Sequence, residues 1–377
     1  GQIGTNGTRG TVPRRGPGGF APPTRGSNPA APRGTNAAPP GQNAPPVQPQ
    51  SPPGEPLTSD QLQALIIVKG DYSEGTGFVA KMHDHYFIVT NQHVLAGNKQ
   101  FTLTGADGTK YPTTGAMFGA RNYDVAIIQI PDALAKYFLE IDSDPLTNTK
   151  THSPVTVPGN ADGTGVPVQI DGQLLGIGPT KIEVSAKFVH GNSGSPIIYR
   201  PTGKVIGIAT EVIITSMDEV KKAANASPDH WIGFRLDNIP MDTGWVKLDW
   251  NVFSAQGLQM QKVEDAGDFL EQFFTSDKLP ATDNPQILAA IRELRRNADT
   301  NVAQGDAENL VWSVKTFVGQ VQKLAKDNMK SLGTQNLYPY FSNELQEEQD
   351  LWVDLDKAIA NGNKQAGDLM TQVLDMK

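Results

Sequence analysis

Three residues far apart in the chain, His93, Asp124 and Ser193, are of the types that build an acyl-transfer centre. A serine hydroxyl is a poor nucleophile at neutral pH; it needs a base to take its proton and an acidic group to hold that base in one tautomer. Ser193 stands in Phe188-Val189-His190-Gly191-Asn192-Ser193-Gly194-Ser195-Pro196, where glycines on both sides suit a tight turn that presents the hydroxyl. His93 closes the run Tyr86-Phe87-Ile88-Val89-Thr90-Asn91-Gln92-His93 and is the candidate base. Asp124 precedes Val125-Ala126-Ile127-Ile128-Gln129-Ile130 and would receive the imidazole N–H. Each has a plain structural alternative, a core histidine, a strand-start cap and a turn serine, but all three alternatives must then hold together.

The elements that must position these residues are short and extended. From Leu65 onward, apolar or alternating runs at 65–68, 77–81, 86–90, 100–104, 125–130, 154–157, 166–170, 172–177, 181–185, 195–199, 205–212 and 231–236 are separated by Gly, Asn and Asp turns. This spacing predicts about a dozen strands in a barrel or sandwich. Met82-His83-Asp84-His85 offers a His-x-His pair, but with no further ligand at metal-site spacing it reads as a polar hairpin tip. The stretch from Ile214 to Asp229 interrupts two strand runs and reads as a polar surface excursion beside the serine turn.

The stretches Thr90-Asn91-Gln92-His93-Val94, Asp124-Val125-Ala126 and Gly191-Asn192-Ser193-Gly194-Ser195-Pro196, in that order, resemble the chymotrypsin-like serine peptidases, and among them the cysteine-free bacterial HtrA-type branch. The resemblance covers about Leu65 to Asp237. A lone Gly-x-Ser-x-Gly is weak, and its lipase-type version places serine before acid and histidine, the opposite of the order here. What the resemblance implies is two packed six-stranded β-barrels with the triad at their junction and peptide-bond hydrolysis through an acyl-enzyme on protein or peptide substrates, without a cofactor or metal. It assigns the oxyanion hole to the backbone of the turn Gly191, Asn192 and Ser193, with the N–H groups of Gly191 and Ser193 as donors; one such donor is worth about 3 to 4 kcal/mol. Asn192 departs from the digestive enzymes, which carry an aspartate there to pair with a new N-terminus, and no activation sequence precedes the first strand. Control by loop ordering is therefore expected in place of cleavage.

Carried over by position, the specificity pocket involves Lys187 to His190, and one wall is Thr210 and Glu211. Lys187 occupies the place of the aspartate that a trypsin-like preference requires, which leaves small or medium aliphatic side chains as the expected occupants. Thr210 is expected to steady Asp124 through its hydroxyl, and Glu211 to meet basic residues upstream of the cut. The alternative reading, from another functional class, is a peptidase-like scaffold that binds through its tail and helices without turning over.

The flanks differ in composition. Residues 1–57 hold 14 of the 28 prolines and 11 of the 38 glycines, with five arginines (Arg9, Arg14, Arg15, Arg25 and Arg33) and one acid, Glu55. Such a segment cannot bury enough apolar surface to offset its ordering entropy and is expected to be a disordered basic tail. The peptidase-like region is expected over 58–245. Over 250–377 the apolar period becomes helical, as in Ile287, Leu288, Ile291, Leu294 and in Leu310, Val314, Phe317, Val318, Val321, with a helix start at Asp283-Asn284-Pro285. A bundle of four or five helices is expected there, not the strand-rich PDZ module common in the HtrA-type branch, and it is a possible site for a protein partner. The chain has no cysteine and carries a net charge of −8, with its acids concentrated outside the tail. A disulfide framework and thiolate metal sites are excluded, direct nucleic-acid binding is disfavoured, and no run reaches the roughly 18 apolar residues of a membrane span. The absence of an initiating methionine and the resemblance together suggest a processed, exported protein, periplasmic or extracellular.

Overall fold

A computed structural model describes residues 56–214, 229–275, 279–304 and 307–362. The expected disordered tail, apart from its last two residues, and the excursion at 215–228 lie outside the described residues.

The strands are β1 (Leu65–Gly70), β2 (Glu74–Met82), β3 (His85–Thr90), β4 (Phe101–Gly105), β5 (Lys110–Tyr111), β6 (Met117–Ala120), β7 (Ala126–Ile130), β8 (Pro154–Gly159), β9 (Val168–Ile177), β10 (Lys181–Val184), β11 (Pro196–Tyr199), β12 (Lys204–Ile214), β13 (Asp229–Arg235) and β14 (Trp245–Leu248). They form two bodies, an eight-stranded sheet in the order β14-β6-β7-β3-β2-β1-β4-β5 and a closed six-stranded barrel in the order β10-β13-β12-β11-β8-β9. Short helices α1 (Ser59–Gln63), α2 (Gln92–Leu95) and α3 (Pro145–Asn148) sit in the connections. Four long helices complete the chain: α4 (Trp250–Thr275), α5 (Pro285–Gln304), α6 (Ala307–Leu332) and α7 (Pro339–Gly362). The double β body followed by helices is the architecture expected from the sequence.

The first body departs from the expected six-stranded barrel, and burial gives the reason. Alternate residues of one strand face opposite sides of a sheet. Leu65, Phe78, Ala80, Phe87, Val89 and Ile127 pack with Ile198, Val205 and Ile208 of the second body. Ile66, Val68, Val79, Ile88 and Ile128 turn the other way, into one apolar cluster with Phe253, Val263, Phe269, Phe317 and Trp352 of the helices. Both faces are covered, so the strands read as nearly continuous apolar runs. The helices take the face that further strands would otherwise close. β14 lies beyond the second barrel in sequence and returns to pair with β6, Trp245 opposite Ala120 and Leu248 opposite Met117.

Two further differences from the expected strands have local causes. The runs at 166–170 and 172–177 form one strand, β9, because Gly172 is not a turn: it pairs opposite Val155, and a Cβ there would stand 2.3 Å from the backbone nitrogen of Ala186. The run ending at His93 breaks after Thr90, and His93 sits in the single turn of α2. His83 and Asp84 form the tip of the β2–β3 hairpin, with Met82 paired to His85. At the start of α5, the Asn284 carboxamide oxygen accepts the N–H groups of Gln286 (3.0 Å) and Ile287 (3.3 Å), the expected cap.

The helices reach the region around His93 by direct contact. A Cβ on Gly257 of α4 would stand 2.5 Å from the backbone nitrogen of Gly97, so the helix lies against the loop that follows α2. Ser254 Oγ donates to the Asn98 carbonyl at 2.6 Å. Asp265, further along α4, accepts from Asn284 Nδ2 at 3.1 Å and from Tyr72 Oη at 3.4 Å. Burial is the leading reason that its carboxyl is raised from 3.8 to about 6.

Gly257→Ala adds a methyl where both neighbours are backbone; a loss of about 1 to 3 kcal/mol is expected in chemical denaturation, despite the better helix propensity of alanine. Asp265 titrates higher in the folded chain than in the unfolded one. The folded state therefore binds the extra proton between pH 4 and 6, and stability falls as pH rises through that window. Above pH 6 the ionised carboxylate costs about 3 kcal/mol. Asp265→Asn is expected to stabilise the protein at pH 7 to 8 and to leave it unchanged near pH 4, as read by denaturation midpoints at each pH.

Candidate active site

The site lies where the two β bodies meet. α2 opens after β3, and the polar residues just before His93 are fully buried because each has backbone partners. Asn91 Nδ2 donates to the Asp124 carbonyl (2.5 Å) and to Thr210 Oγ1 (3.1 Å). Gln92 Nε2 donates to the carbonyls of Ala120 (3.0 Å) and Tyr123 (2.9 Å). The loop carrying Asp124 is thereby fastened to the turn carrying His93. The His93 N–H then donates to Asp124 Oδ1 at 3.0 Å, and His93 Nδ1 is hydrogen-bonded to Asp124 Oδ2. With the carboxylate on Nδ1, that nitrogen carries the proton and Nε2 is the nitrogen left to accept one.

Ser193 comes from the second body, in the turn between β10 and β11. Gly191 (φ +89) and Gly194 (φ +88) both adopt the left-handed conformation that glycine tolerates. Each also lies where a side chain would strike backbone, 2.0 Å from the Asn160 and the Thr76 carbonyl oxygens respectively. The Asn192 N–H donates to Val189 O (3.0 Å), Ser195 N–H to Asn192 O (2.8 Å) and Gly194 N–H to Ala209 O (2.9 Å). The His190 carbonyl is taken by the Asp162 N–H at 2.7 Å. A trans peptide points its C=O and N–H in opposite directions, so the Gly191 N–H is directed away from Asp162.

Thr76 of β2 joins this turn to the first body. Its N–H donates to the Ser193 carbonyl (2.8 Å), its hydroxyl donates to the Gly191 carbonyl (2.8 Å), and the Asn160 N–H donates to that hydroxyl (2.9 Å). Its own carbonyl accepts from Thr90 Oγ1 at 2.7 Å. Beside it, a Cβ on Gly75 would stand 2.7 Å from Val94 and 2.8 Å from the Ser193 carbonyl. Thr76 had no expected place in the site, and Asn91 and Gln92 no expected role beyond the motif that contains them. Gly75-Thr76-Gly77 inside an apolar strand was the available signal, because strand glycines mark close backbone approach.

His93, Asp124 and Ser193 line one cleft of about 590 Å³, together with His190, Thr210, Glu211, Ser73, Glu74 and residues of α7. The Asn192 N–H is engaged within the turn by the Val189 carbonyl, so the turn adds no donor to the two expected of Gly191 and Ser193. Other expectations change. Thr210 does not touch the Asp124 carboxylate: its hydroxyl donates to Ile208 O at 3.2 Å and accepts from Asn91, so it holds Asp124 only through that amide. Glu211 is ion-paired with Lys181. Lys187, expected at the pocket floor, is exposed, with its ammonium 5.6 Å from the centre of the Trp231 ring, and lies outside the cleft lining. Among the described residues no group of three or more His, Cys, Asp or Glu is arranged to hold a metal ion, and no helix is long and apolar enough to cross a membrane.

Residues 75–208 match the family model of the trypsin-like peptidase domain. Over 266 residues the chain is 23% identical to the probable periplasmic serine endoprotease DegP-like of Brucella suis biovar 1 (strain 1330), covering 64% of this chain and 50% of that protein. Over 198 residues it is 27% identical to the protein of the same description from Rhizobium meliloti (strain 1021), covering 51% of this chain and 37% of that protein. The chain thus spans half the length, or less, of these curated relatives. Among solved structures, the HtrA-type protease AlgW with tripeptide is similar at 21% identity and a TM-score of 0.36, over 47% of this chain and 57% of that one. The serine endoprotease from Yersinia pestis is similar at 21% identity and a TM-score of 0.35, over 48% of this chain and 63% of that one. The family match and the likeness to the DegP-like relatives thus fall on the double β body with this site at its junction, and over residues 75–208 the chain is similar to a trypsin-like peptidase domain.

Proposed function

We propose that the chain is a serine endopeptidase that acts through His93, Asp124 and Ser193. The observation that carries this reading is the arrival of a carboxylate-bound histidine and a glycine-flanked serine in one cleft from two separate β bodies. In the proposed cycle His93 Nε2 takes the Ser193 hydroxyl proton as Oγ attacks the peptide carbonyl carbon. The carbonyl electrons move to oxygen, and the N–H groups of Gly191 and Ser193 receive the charge. Collapse breaks the C–N bond, and His93 returns the proton to the leaving amine. Water, deprotonated by His93, then releases the acyl group and restores the serine. Asp124 stays ionised throughout and stabilises the imidazolium. The substrates are proteins or peptides, and the periplasmic description of the relatives supports an exported location for this chain.

A fluorophosphonate probe tests the reading directly. Labelling of the full chain is expected at Ser193 by peptide mapping, absent in Ser193→Ala and slowed by about 10⁴-fold in Asp124→Asn, which holds the wrong tautomer. A folded protein that never labels would overturn it in favour of a binding scaffold. Thr76 is a positioning residue in this scheme. Thr76→Val keeps the shape and removes the hydroxyl between Gly191 O and Asn160 N, so the acylation rate is expected to fall about ten-fold, equivalent to about 1.4 kcal/mol in the barrier. Thr76→Ser is expected to restore it.

A further inference from the structure

Asn192 is shared by two consecutive turns. The Val189 carbonyl accepts the Asn192 N–H (3.0 Å), and the Asn192 carbonyl accepts the Ser195 N–H (2.8 Å). In each turn the third residue is a glycine of positive φ, Gly191 (+89) and Gly194 (+88), as a type II turn requires. Neither bond uses the N–H of Gly191 or of Ser193. The side chain adds a further bond, because Asn192 Oδ1 accepts the Val189 N–H at 3.1 Å. Both main-chain polar groups of Val189 are thus held by Asn192, and the first turn is closed from both sides.

Asn192 is fully buried, whereas Val189 is exposed. The carboxamide packs against Gly159, where a Cβ would stand 2.9 Å from Asn192 Nδ2, 2.7 Å from Thr76 Oγ1 and 2.0 Å from Ser195 Oγ. Nδ2 has no hydrogen-bond partner among the described residues. Burying an amide nitrogen in that way is costly, and the bond that offsets the cost is the one made by Oδ1. The groups named around the carboxamide are a main-chain N–H, two hydroxyls and a glycine, none of them charged. The titratable residues beside it are His190, in the same turn, and Asp162, whose N–H holds the His190 carbonyl at 2.7 Å. Building on the peptidase reading, we propose that Asn192 is a positioning residue for acylation. Its neutral carboxamide locks the turn that presents Gly191 and Ser193, so the turn itself arranges the oxyanion donors and needs no ion pair to do so.

The test compares Asn192→Asp and Asn192→Ala, each in the full chain, with the unsubstituted protein. The readout is the fluorophosphonate labelling rate at each pH from about 5 to 8, divided by the unsubstituted rate at the same pH, which removes the titration of His93, His190 and Asp162. A protonated aspartate is a neutral isostere of asparagine and keeps the acceptor oxygen. An ionised one is a buried charge with no cation beside it, so burial raises its pKa above that in the unfolded chain. The locked turn therefore binds the proton more tightly, holds at low pH and opens as pH rises through the raised pKa. The Asn192→Asp ratio is expected within about two-fold of one near pH 5 and about ten-fold lower at pH 8, while Asn192→Ala is slowed about ten-fold throughout. Denaturation midpoints and amide exchange over residues 189–195 are read on the same samples. A purely structural role would lower the midpoints and leave the rate of the folded protein unchanged. Ratios near one at every pH in both folded variants would overturn the proposal. Should Asn192→Asp unfold at pH 8, the Asn192→Ala rate decides alone. If the unsubstituted chain never labels, the peptidase reading falls and exchange decides the lock. Faster exchange in the Gly191–Ser193 segment of Asn192→Ala than of the unsubstituted chain then upholds it, and equal exchange removes it.

Discussion

One main-chain hydrogen bond, from the Thr76 N–H to the Ser193 carbonyl at 2.8 Å, joins the two β bodies beside the cleft that His93 and Ser193 share. His93 and Asp124 belong to the first body and Ser193 to the second. No local element can hold them in register. A shift of about 1 Å between the bodies would break the alignment that the proposed proton transfer requires. Thr76 resists it twice, through its N–H to Ser193 and its hydroxyl to Gly191, while its carbonyl, held by Thr90, fixes it within the first body. Glycines at 75, 191 and 194 let the two backbones come close enough for these bonds to form.

The first body is as much a platform for the helices as one side of the cleft. Its second face is covered by α4 to α7, and one apolar cluster runs without interruption from Ile66 and Ile88 to Phe317 and Trp352. The loop after His93 feels this directly. Asn98 is buried, its Oδ1 accepts the N–H groups of Tyr72 and Ser73 at 2.8 Å each, and its Nδ2 donates to Val94 O at 2.9 Å. Its carbonyl is held by Ser254 of α4. A chain of short polar contacts thus connects α4 to α2 and to Ser73 and Glu74 at the cleft edge. The helices are physically part of the site's scaffold, and α7 forms part of its lining.

Much of this was legible in the sequence, for local reasons. The glycines around Ser193 marked a positive-φ turn because a side chain there is costly in any context. The alternation and runs of Leu, Ile, Val and Phe marked strands because a two-faced sheet buries both sides. The change of apolar period after Trp250 marked helices, and Asn284-Pro285 marked where one begins. The order of His93, Asp124 and Ser193 pointed to the chemistry because few residue sets can activate a serine.

What the sequence left open depends on which surfaces meet. Lys187 stood at a pocket position by count alone, but its side chain lies over Trp231, a partner 44 residues away that counting cannot supply. Thr210 and Asp124 are linked only through Asn91, an arrangement set by how β12 crosses beside α2. β14 is a four-residue strand whose partner lies across the chain, so its pairing had no local mark. Residue types and spacing thus determined the candidate reacting groups and the kinds of element that carry them, because both follow from bonding within a few residues. The joining of two β bodies through Thr76, the closure of the first by helices and the arrival of Glu344 and Glu347 at the cleft were decided by tertiary packing, because they depend on apolar faces that find one another only when the whole chain is folded.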